Sequence, residues 1–317
     1  MTMMSSQTPS LTPSDQSSLL FLRCLAIIKV MVCHGLETYT LHYASWFYTG
    51  AILFLVISGF LYGRKPVPDP KTYAIGRLQR VGIPYWTFLV FLLPFYLYCS
   101  DISPLNVCSS FALTACGLRK GFEQLPGMNH LWFIAAIVAC YISIPLLQRF
   151  RGRGLKTVLA GYLLFAIDIF VLDGRYYWFP LYVTAYFMGN LPRTSLRQAF
   201  AITSVLTLLT LVNLSYLPIH LRYHLLRSLF PLLLTLLTIR LFEDFHLTRL
   251  PNFLATLSLI SFPLYLVHNP LMMGPCSLAF LTDSHTFNMI SVIALSLLSA
   301  VALHLLSQRI TQWFVQK

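Results

Sequence analysis

Charge is scarce in this sequence of 317 residues. Charged side chains make up 10% of the chain, and only ten residues are acidic. Hydrophobic residues reach 57%, above the roughly 45–50% usual for a soluble domain, and the mean hydropathy is +0.70. This composition indicates an integral membrane protein. The formal net charge of +12 does not indicate nucleic-acid binding, because most lysines and arginines fall between apolar runs, where they set membrane orientation.

Several catalytic and binding motifs are also missing. The chain has no GxSxG nucleophile elbow, no HExxH pair and no CxxC pair, which argues against that type of serine hydrolase and against a zinc site. We therefore expect no metal site and no bound cofactor. Residues 1–18 are polar and lack the basic start of a signal peptide, so we expect them to form a disordered cytoplasmic tail.

Long apolar runs, in contrast, fill the chain. A membrane-spanning helix needs about 20 predominantly apolar residues, and ten runs approach that length. No repeat or polar break divides them, so we predict an all-α integral membrane protein with a single bundle of about ten transmembrane helices over residues 19–306, followed by a short cytoplasmic tail over 307–317. The runs lie at 19–36, 46–62, 81–99, 130–148, 155–172, 178–191, 197–214, 226–241, 253–273 and 287–306.

Basic residues between the runs predict the orientation. With the N-terminus inside, 15 of the 22 lysines and arginines lie in cytoplasmic segments, two lie within the first run and five lie outside. An excess of positive charge on the cytoplasmic side is typical of polytopic membrane proteins, so both termini are predicted to be cytoplasmic. The five outside residues are Arg119, Lys120, Arg175, Arg222 and Arg227.

The first run carries ionisable residues where a bilayer penalises them most. In RCLAIIKVMVCHG, Arg23 and His34 are eleven residues apart, which is three helical turns plus about 20°, so both project from one face with about 16 Å between them. Glu37 is close enough in direction to hydrogen-bond the imidazole. Ionisable groups inside a membrane usually face a cavity, which favours a functional stripe. Arg23 as a snorkelling anchor and His34 as a structural histidine are the alternatives.

A second basic cluster lies at the cytoplasmic start of the third run. Arg77 and Arg80 are three residues apart in TYAIGRLQRVGIPYW, and two neighbouring guanidinium groups suit the bidentate binding of phosphates. The helix start also favours an anion. Ordinary positive-inside anchoring is the alternative explanation.

Histidines of other runs fall near the outer face. His130 opens the fourth run and His268 lies late in the ninth, at a depth similar to that of His34. Both are also consistent with buried, hydrogen-bonded core residues, and Trp132 is consistent with an interfacial belt. Aromatic and basic residues of the outside loops fit either sugar stacking or the same belt: Trp46, Tyr176, Tyr177, Trp178 and Arg175.

The cysteines leave room for one disulfide. Cys99, Cys108 and Cys116 fall near or in an outside loop, where oxidising conditions permit one bond among them. The remaining cysteines lie in or beside spans and are expected to behave as small hydrophobes: Cys24, Cys33, Cys140 and Cys276.

Five blocks of the sequence resemble the membrane acyltransferase-3 family, whose multi-span members O-acylate cell-surface glycans and related acceptors. The blocks are RCLAIIKVMVCH, FLVISGFL, GRLQRVGIPYW, HLWFIAAIVACYISIPLL and ISFPLYLVHNP, in family order from about residue 19 to about residue 306. The resemblance implies about ten core spans and a stand-alone member without the hydrolase-like domain that some members carry.

The resemblance also implies roles for individual residues. His34 matches the general base of the family and Arg23 its partner, while Arg77 and Arg80 match the pair implicated in holding the acyl-CoA donor. No protein nucleophile is required, although a covalent acyl-enzyme stays open.

Other matches concern the interior of the bundle. Ser58 and Gly59 match a small-residue break in the second span, where glycine allows close helix approach. Lys29 departs from the pattern, which is normally apolar there, and Asp168 is a candidate partner for it. The candidate acceptor or cavity residues are His130, Trp132, His268, Ser58 and Gly59.

The implied activity is transfer of acetyl from cytoplasmic acetyl-CoA, as co-substrate, to a hydroxyl of an envelope glycan at a bacterial inner membrane. O-antigen, a lipid-linked repeat unit and an exopolysaccharide all fit as acceptor, with membrane lipids as further partners. A polytopic transporter or flippase of a glycan or lipid-linked precursor is the alternative, although the internal repeat expected of it is not evident. A non-catalytic scaffold ranks third, since it needs no buried charges.

Overall fold

The computed structural model describes residues 11–65, 67, 69–213, 216 and 218–315. All regular secondary structure in these residues is helical, which confirms the predicted all-α class. The α-helices are α1 Pro13–Thr38, α2 Thr49–Arg64, α3 Pro70–Arg77, α4 Ile83–Cys99, α5 Pro104–Ala115, α6 Arg119–Glu123, α7 Trp132–Gln148, α8 Leu155–Val171, α9 Trp178–Gly189, α10 Arg193–Val212, α11 Ile219–Asp244, α12 Asn252–Met273 and α13 His285–Val315. Shorter elements are the 3₁₀-helices His42–Phe47 and Asn129–Leu131 and the π-helical segment Leu78–Gly82.

Eight helical segments of the described chain are long and apolar enough to cross a membrane. This number is lower than the predicted number of about ten spans. The fifth and sixth predicted spans correspond to α8, with 17 residues, and α9, with 12. In α9, every residue from Pro180 to Gly189 is buried. Its apolar composition therefore reflects packing inside the protein, as is usual for apolar runs of about 10–14 residues.

The helices group into two compact units, where the sequence predicted a single bundle. The first contains the described residues of Met1–Ala26, Tyr48–Pro68 and Ala139–Ala255, and the second contains those of Ile27–Phe47, Asp69–Val138 and Thr256–Lys317. Each unit is built from three separate stretches of chain. No change of composition marks such a boundary, which explains why the sequence did not reveal it.

The first helix begins earlier than predicted, so the predicted disordered tail is wrong for residues 13–18. Thr12 and Asp15 form reciprocal side-chain to backbone hydrogen bonds of 3.2 Å, a capping box that starts α1 at Pro13. Asp15 is only 1% exposed and forms an ion pair of 2.8 Å with Arg193. Residues 1–10 of the predicted tail lie outside the described residues.

The predicted C-terminal tail also contains helix. α13 continues from His285 to Val315, so residues 307–315 extend the last predicted span without a break. Residues 316–317 lie outside the described residues.

Glycine lets two helices of the first unit approach closely. A Cβ added to Gly59 in α2 would lie 2.5 Å from the carbonyl oxygen of Tyr182 in α9. Gly63 and Gly189 are equally crowded at the same helix pair, so larger residues at these positions would force α2 and α9 apart. Gly59 thus has the packing role expected of glycine in a helix contact, and its neighbour Ser58 is partly exposed.

A disulfide joins two parts of the second unit. Cys99 ends α4 and is bonded to Cys276, which follows α12, with 6.1 Å between their Cα atoms. Cys108 and Cys116 are free and exposed. The bond that the sequence left open among Cys99, Cys108 and Cys116 therefore does not form, because the partner of Cys99 lies 177 residues away. The expectation that Cys276 behaves as a small hydrophobe was wrong, since no sequence pattern points to its partner.

Candidate active site

Three histidines predicted from different runs come together in the second unit. The ring centroids of His34 and His268 are 5.3 Å apart, those of His130 and His268 are also 5.3 Å apart, and those of His34 and His130 are 6.4 Å apart. α1 carries His34, the 3₁₀-helix before α7 carries His130, and α12 carries His268. We call these three residues the histidine cluster.

His34 is paired with an acidic side chain of its own helix. Its Nδ1 lies 2.7 Å from Oε2 of Glu37, the partner expected from their spacing. Because the carboxylate accepts, Nδ1 carries a hydrogen and Nε2 of the neutral ring keeps the lone pair. The two side chains are 22% and 27% exposed, so His34 is the member of the cluster with partial access from outside the protein core.

His130 is held by hydrogen bonds on every side. Its Nε2–H donates to the carbonyl oxygen of Leu266 at 3.2 Å, and its Nδ1 accepts from the side-chain amide of Asn269 at 3.3 Å. The hydroxyl of Tyr265 donates to its backbone carbonyl. With both ring nitrogens engaged and only 2% of the residue exposed, His130 is suited to orienting its neighbours.

His268 has one engaged nitrogen and one open nitrogen. Its Nδ1–H donates to the carbonyl oxygens of Leu264 and Tyr265 at 3.1 and 2.8 Å. Its Nε2 is buried and has no hydrogen-bond partner among the described residues. Since the Nδ1 hydrogen is fixed by main-chain acceptors, Nε2 presents a lone pair to whatever enters beside it.

Tyr265 and Asn269 support the cluster and were missed by the sequence analysis. Besides the contact with His130, the Asn269 amide donates to the carbonyl oxygen of Gly127 at 2.9 Å. Gly127 has a φ of +73°, and an added Cβ would lie 2.7 Å from the backbone nitrogen of Gly274, so only glycine fits this contact comfortably. The one local hint in the sequence was that Asn269, a polar residue followed by a proline, lies inside the apolar block ISFPLYLVHNP.

The cluster can support proton transfer. His34 is hydrogen-bonded to a carboxylate and partly exposed. His268 offers a buried lone pair, and His130 is fixed by hydrogen bonds. Among the described residues, no three His, Cys, Asp or Glu side chains are grouped to hold a metal ion. A histidine paired with a carboxylate is an arrangement suited to general-base catalysis.

The predicted donor-binding pair lies where the continuous helix Pro70–Cys99 changes from α-helical to π-helical turns. Arg77 is the last residue of α3, and its Cζ is 5.6 Å from the ring centroid of Tyr73. Arg80 lies in the π-helical segment between α3 and α4 and is exposed. Such π-helical segments often mark functional sites. Asp69 caps the start of α3 by accepting from the backbone amides of Lys71 and Thr72 at 3.0 and 3.1 Å.

The remaining predicted site residues lie apart from the histidine contacts just described. Arg23 is partly buried in the part of α1 that belongs to the first unit. Trp132 begins α7 and packs edge-to-face with Phe133, with ring centroids 6.3 Å apart. The Nζ of Lys29 donates to the carbonyl oxygen of Trp46 at 3.3 Å.

The suggested partner of Lys29 lies in the first unit. Asp168 accepts the backbone N–H of Tyr176 at 3.0 Å.

Comparison with known proteins identifies the family. The family model of acyltransferase 3, described as an acyltransferase domain, matches residues 17–308. The chain belongs to the acyltransferase-3 family. It is a multi-pass membrane acyltransferase, which sets aside the transporter and scaffold alternatives. No curated protein and no solved structure matches this acyltransferase.

Proposed function

We propose that this acyltransferase moves acetyl from cytoplasmic acetyl-CoA to a hydroxyl of an envelope glycan, with His34 as the general base. O-antigen, a lipid-linked repeat unit and an exopolysaccharide are the candidate acceptors. The observation that carries the proposal is the hydrogen bond of 2.7 Å between His34 and Glu37, beside two further imidazoles, in a member of an acyltransferase family.

The reaction follows from the free nitrogen of His34. The acceptor hydroxyl attacks the thioester carbonyl of acetyl-CoA while Nε2 of His34 takes its proton, so an ester C–O bond forms and the C–S bond breaks. The imidazolium is stabilised by the Glu37 carboxylate and returns its proton to the departing thiolate. General-base catalysis of this kind contributes about 10²–10⁴-fold in rate.

His268 is proposed to hold a second hydroxyl of the acceptor sugar, next to the one that reacts. Its open Nε2 accepts a hydrogen bond, and its ring centroid is 5.3 Å from that of His34. Two neighbouring hydroxyls of one sugar can therefore donate to the two imidazoles, one to each. His130 is proposed to hold the 3₁₀-helix before α7 against α12 through its contacts with Leu266 and Asn269. These contacts would fix the position of His268 on α12.

Arg77 and Arg80 are proposed to bind the phosphates of acetyl-CoA. Guanidinium groups bind phosphate oxygens through paired N–H donors, and Arg80 is exposed at the π-helical segment. Arg23, on the predicted stripe of α1 that also carries His34, is proposed to assist the reaction from nearer the cytoplasmic face.

We further propose a bacterial inner-membrane location with both termini cytoplasmic. The distribution of basic residues supports this orientation. The disulfide between Cys99 and Cys276 supports it as well, because both cysteines follow spans predicted to run outward and disulfides persist in oxidising compartments. In this topology an impermeant maleimide applied to intact cells should label the exposed thiol of Cys108.

Acetyl transfer is tested with membranes that contain the protein and acetyl-CoA carrying a labelled acetyl group. We expect label in the glycan fraction, and a mass increment of one acetyl group in envelope glycans only from cells that express the chain. Membranes that hold the folded protein with its acceptor and leave the glycan unlabelled would contradict the proposal.

The donor assignment is tested with Arg77→Lys and Arg80→Lys, which keep the charge but lose the bidentate fork. We expect a higher KM for acetyl-CoA and unchanged topology. Arg149→Lys, at another exposed arginine predicted to be cytoplasmic, is the matched control. Wild-type rates at limiting acetyl-CoA in both variants would mean that the pair serves only as an anchor.

A further inference from the structure

Tyrosine rings of the first unit enclose an arginine. The Cζ of Arg227 lies 4.6 Å from the ring centroid of Tyr223, 4.8 Å from that of Tyr48 and 6.0 Å from that of Tyr177. We call these four residues the arginine cage. Cation–π contacts of this kind hold a guanidinium plane in place without using its N–H donors.

The guanidinium has no anionic partner in the described residues. Among the residues that the structure describes, no carboxylate forms an ion pair with Arg227, and its buried Nε has no hydrogen-bond acceptor. The neighbouring hydroxyl of Ser228 is fully buried and has no partner in the described part of the chain either. A partly buried charge with open donors is costly unless something accepts them.

The surrounding groups favour a negative ligand. Tyr48 and Tyr177 immediately precede the first residues of α2 and α9, and neither N-cap side chain caps its helix. The first residues of α2 and α9 therefore follow directly after two of the cage tyrosines, and the positive end of a helix dipole favours an anion. Burial raises the pKa of the Tyr177 hydroxyl, so that ring stays neutral and supplies no counter-charge.

The acid that interacts with His224, a neighbour of the cage, is Asp168. One of its carboxylate oxygens accepts the backbone N–H of Tyr176 at 3.0 Å, and the other is buried without a hydrogen-bond partner among the described residues. His224 packs against Tyr177 and Tyr223, with ring centroids 5.5 and 6.0 Å apart. The cage is therefore an aromatic-lined site around one cation, whose Nε–H has no acceptor among the described residues.

The predicted topology also indicates the side of the membrane on which the cage lies. α2 and α11 correspond to the second and eighth predicted runs, both of which are predicted to run inward from the outer face. Tyr48 directly precedes α2, and Tyr223 and Arg227 lie in the N-terminal half of α11. The cage is thus on the predicted outer side, which is the side of the membrane where an envelope glycan is found.

We propose that the arginine cage binds an anionic oxygen group, a phosphate or a carboxylate, of the glycan acceptor. Stacked rings leave the edge of the guanidinium available for two parallel N–H···O bonds, the geometry that suits both groups. This inference rests on the proposed function for the nature of the acceptor. It predicts that acidic or phosphate-linked glycans are selected over neutral ones.

The test measures binding in the presence of saturating coenzyme A, which fills the proposed donor site at Arg77 and Arg80 and has no acetyl group to transfer. The purified protein in an uncharged maltoside detergent is titrated calorimetrically with inorganic diphosphate, with glucuronate and with glucose. We expect saturable binding of diphosphate, glucuronate or both, and no binding of glucose. The stronger of the two anions identifies whether phosphate or carboxylate is the recognised group.

Three variants sharpen the titration. Arg227→Gln should weaken anion binding at least tenfold, and Arg227→Lys, which keeps the charge without the fork, should weaken it less. Arg222→Gln, on the same helix but outside the cage contacts, should bind like the wild type. If Arg227→Gln does not fold, the folded Arg227→Lys variant still decides the matter.

Several outcomes overturn the proposal. Equal binding of glucose, or unchanged anion binding in both Arg227 variants, means that the cage is not an anion site. Competitive displacement of diphosphate by phosphatidylglycerol means that a lipid headgroup, and not the acceptor, is the ligand. Because no acetyl transfer is measured, these outcomes are independent of whether the protein acetylates glycan.

Discussion

The histidine cluster and the arginine cage fix their functional groups in different ways. In the cluster, main-chain carbonyl oxygens of Leu264, Tyr265 and Leu266 accept hydrogens from His268 and His130, which determines the tautomer of each ring. In the cage, aromatic faces hold the Arg227 guanidinium and leave its donors open. Fixed tautomers suit proton transfer, whereas a fixed plane with open donors suits binding. The comparison therefore predicts loss of turnover at one region and loss of affinity at the other.

The largest effect is expected at His34. His34→Ala should lower glycan acetylation by about 10²–10⁴-fold, because the base is lost, while diphosphate binding at the cage stays at the wild-type level. Labelled acetyl transfer and calorimetry on the same preparation measure the two quantities.

The matched control for this variant is His304→Ala. His304 is a partly exposed histidine of α13 whose side chain contacts Gln308, so its removal should leave acetylation unchanged. Near-normal acetylation by well-inserted His34→Ala would remove His34 from the role of base.

The sequence predicted the histidine cluster better than it predicted the rest of the second unit. A helix advances by a fixed rise per residue, so the depths of His34, His130 and His268 followed from their positions in apolar runs. Tyr265 and Asn269 gave no such signal, because a tyrosine or an asparagine next to apolar residues is unremarkable until its partner is known. The partner of Cys99 was hidden for the same reason.

Some features of the fold had a local signal in the sequence that was overlooked, and others had a signal that suggested the wrong structure. The capping box of Thr12 and Asp15 is a local signature that already marked the start of α1. The apolar run of α9 looked like a span because burial in protein and burial in lipid select the same residues. Tyr177 fitted an interfacial belt, since the arginine beside it comes from another helix of the chain.

The next largest effect concerns the disulfide of the second unit. Cys276→Ser should lower the free energy of unfolding by about 2–4 kcal/mol, since it opens a loop of 177 residues between Cys99 and Cys276. Cys108→Ser, at an exposed free thiol, should leave thermal stability unchanged. Thermal unfolding with and without a reductant measures both effects. Equal melting temperatures of the two variants in the absence of reductant would show that the bond contributes nothing to stability.

A smaller loss is expected at the support of His130. Asn269 is 2% exposed, and Asn269→Leu removes the hydrogen-bond donor to Gly127 and to His130. The free energy of unfolding should fall by about 1–3 kcal/mol, because a buried acceptor is left unsatisfied. Acetylation should fall as well, whereas anion binding at the cage should not. Asn213→Ala, at an exposed asparagine, is the control. Unfolding that matches the wild type would mean that these hydrogen bonds do not hold the cluster.

The smallest effect separates stacking from charge in the cage. Tyr223→Leu keeps Arg227 and an apolar side chain but removes the ring whose centroid lies 4.6 Å from the guanidinium. One cation–π contact contributes roughly 0.5–1 kcal/mol at a partly exposed site, so diphosphate affinity should fall about two- to fivefold. Tyr223→Phe keeps the ring and should bind like the wild type, which excludes a role for the hydroxyl. If Tyr223→Phe loses as much affinity as Tyr223→Leu, the hydroxyl and not the ring face holds the ligand, and the contrast between a hydrogen-bonded cluster and a stacked cage fails.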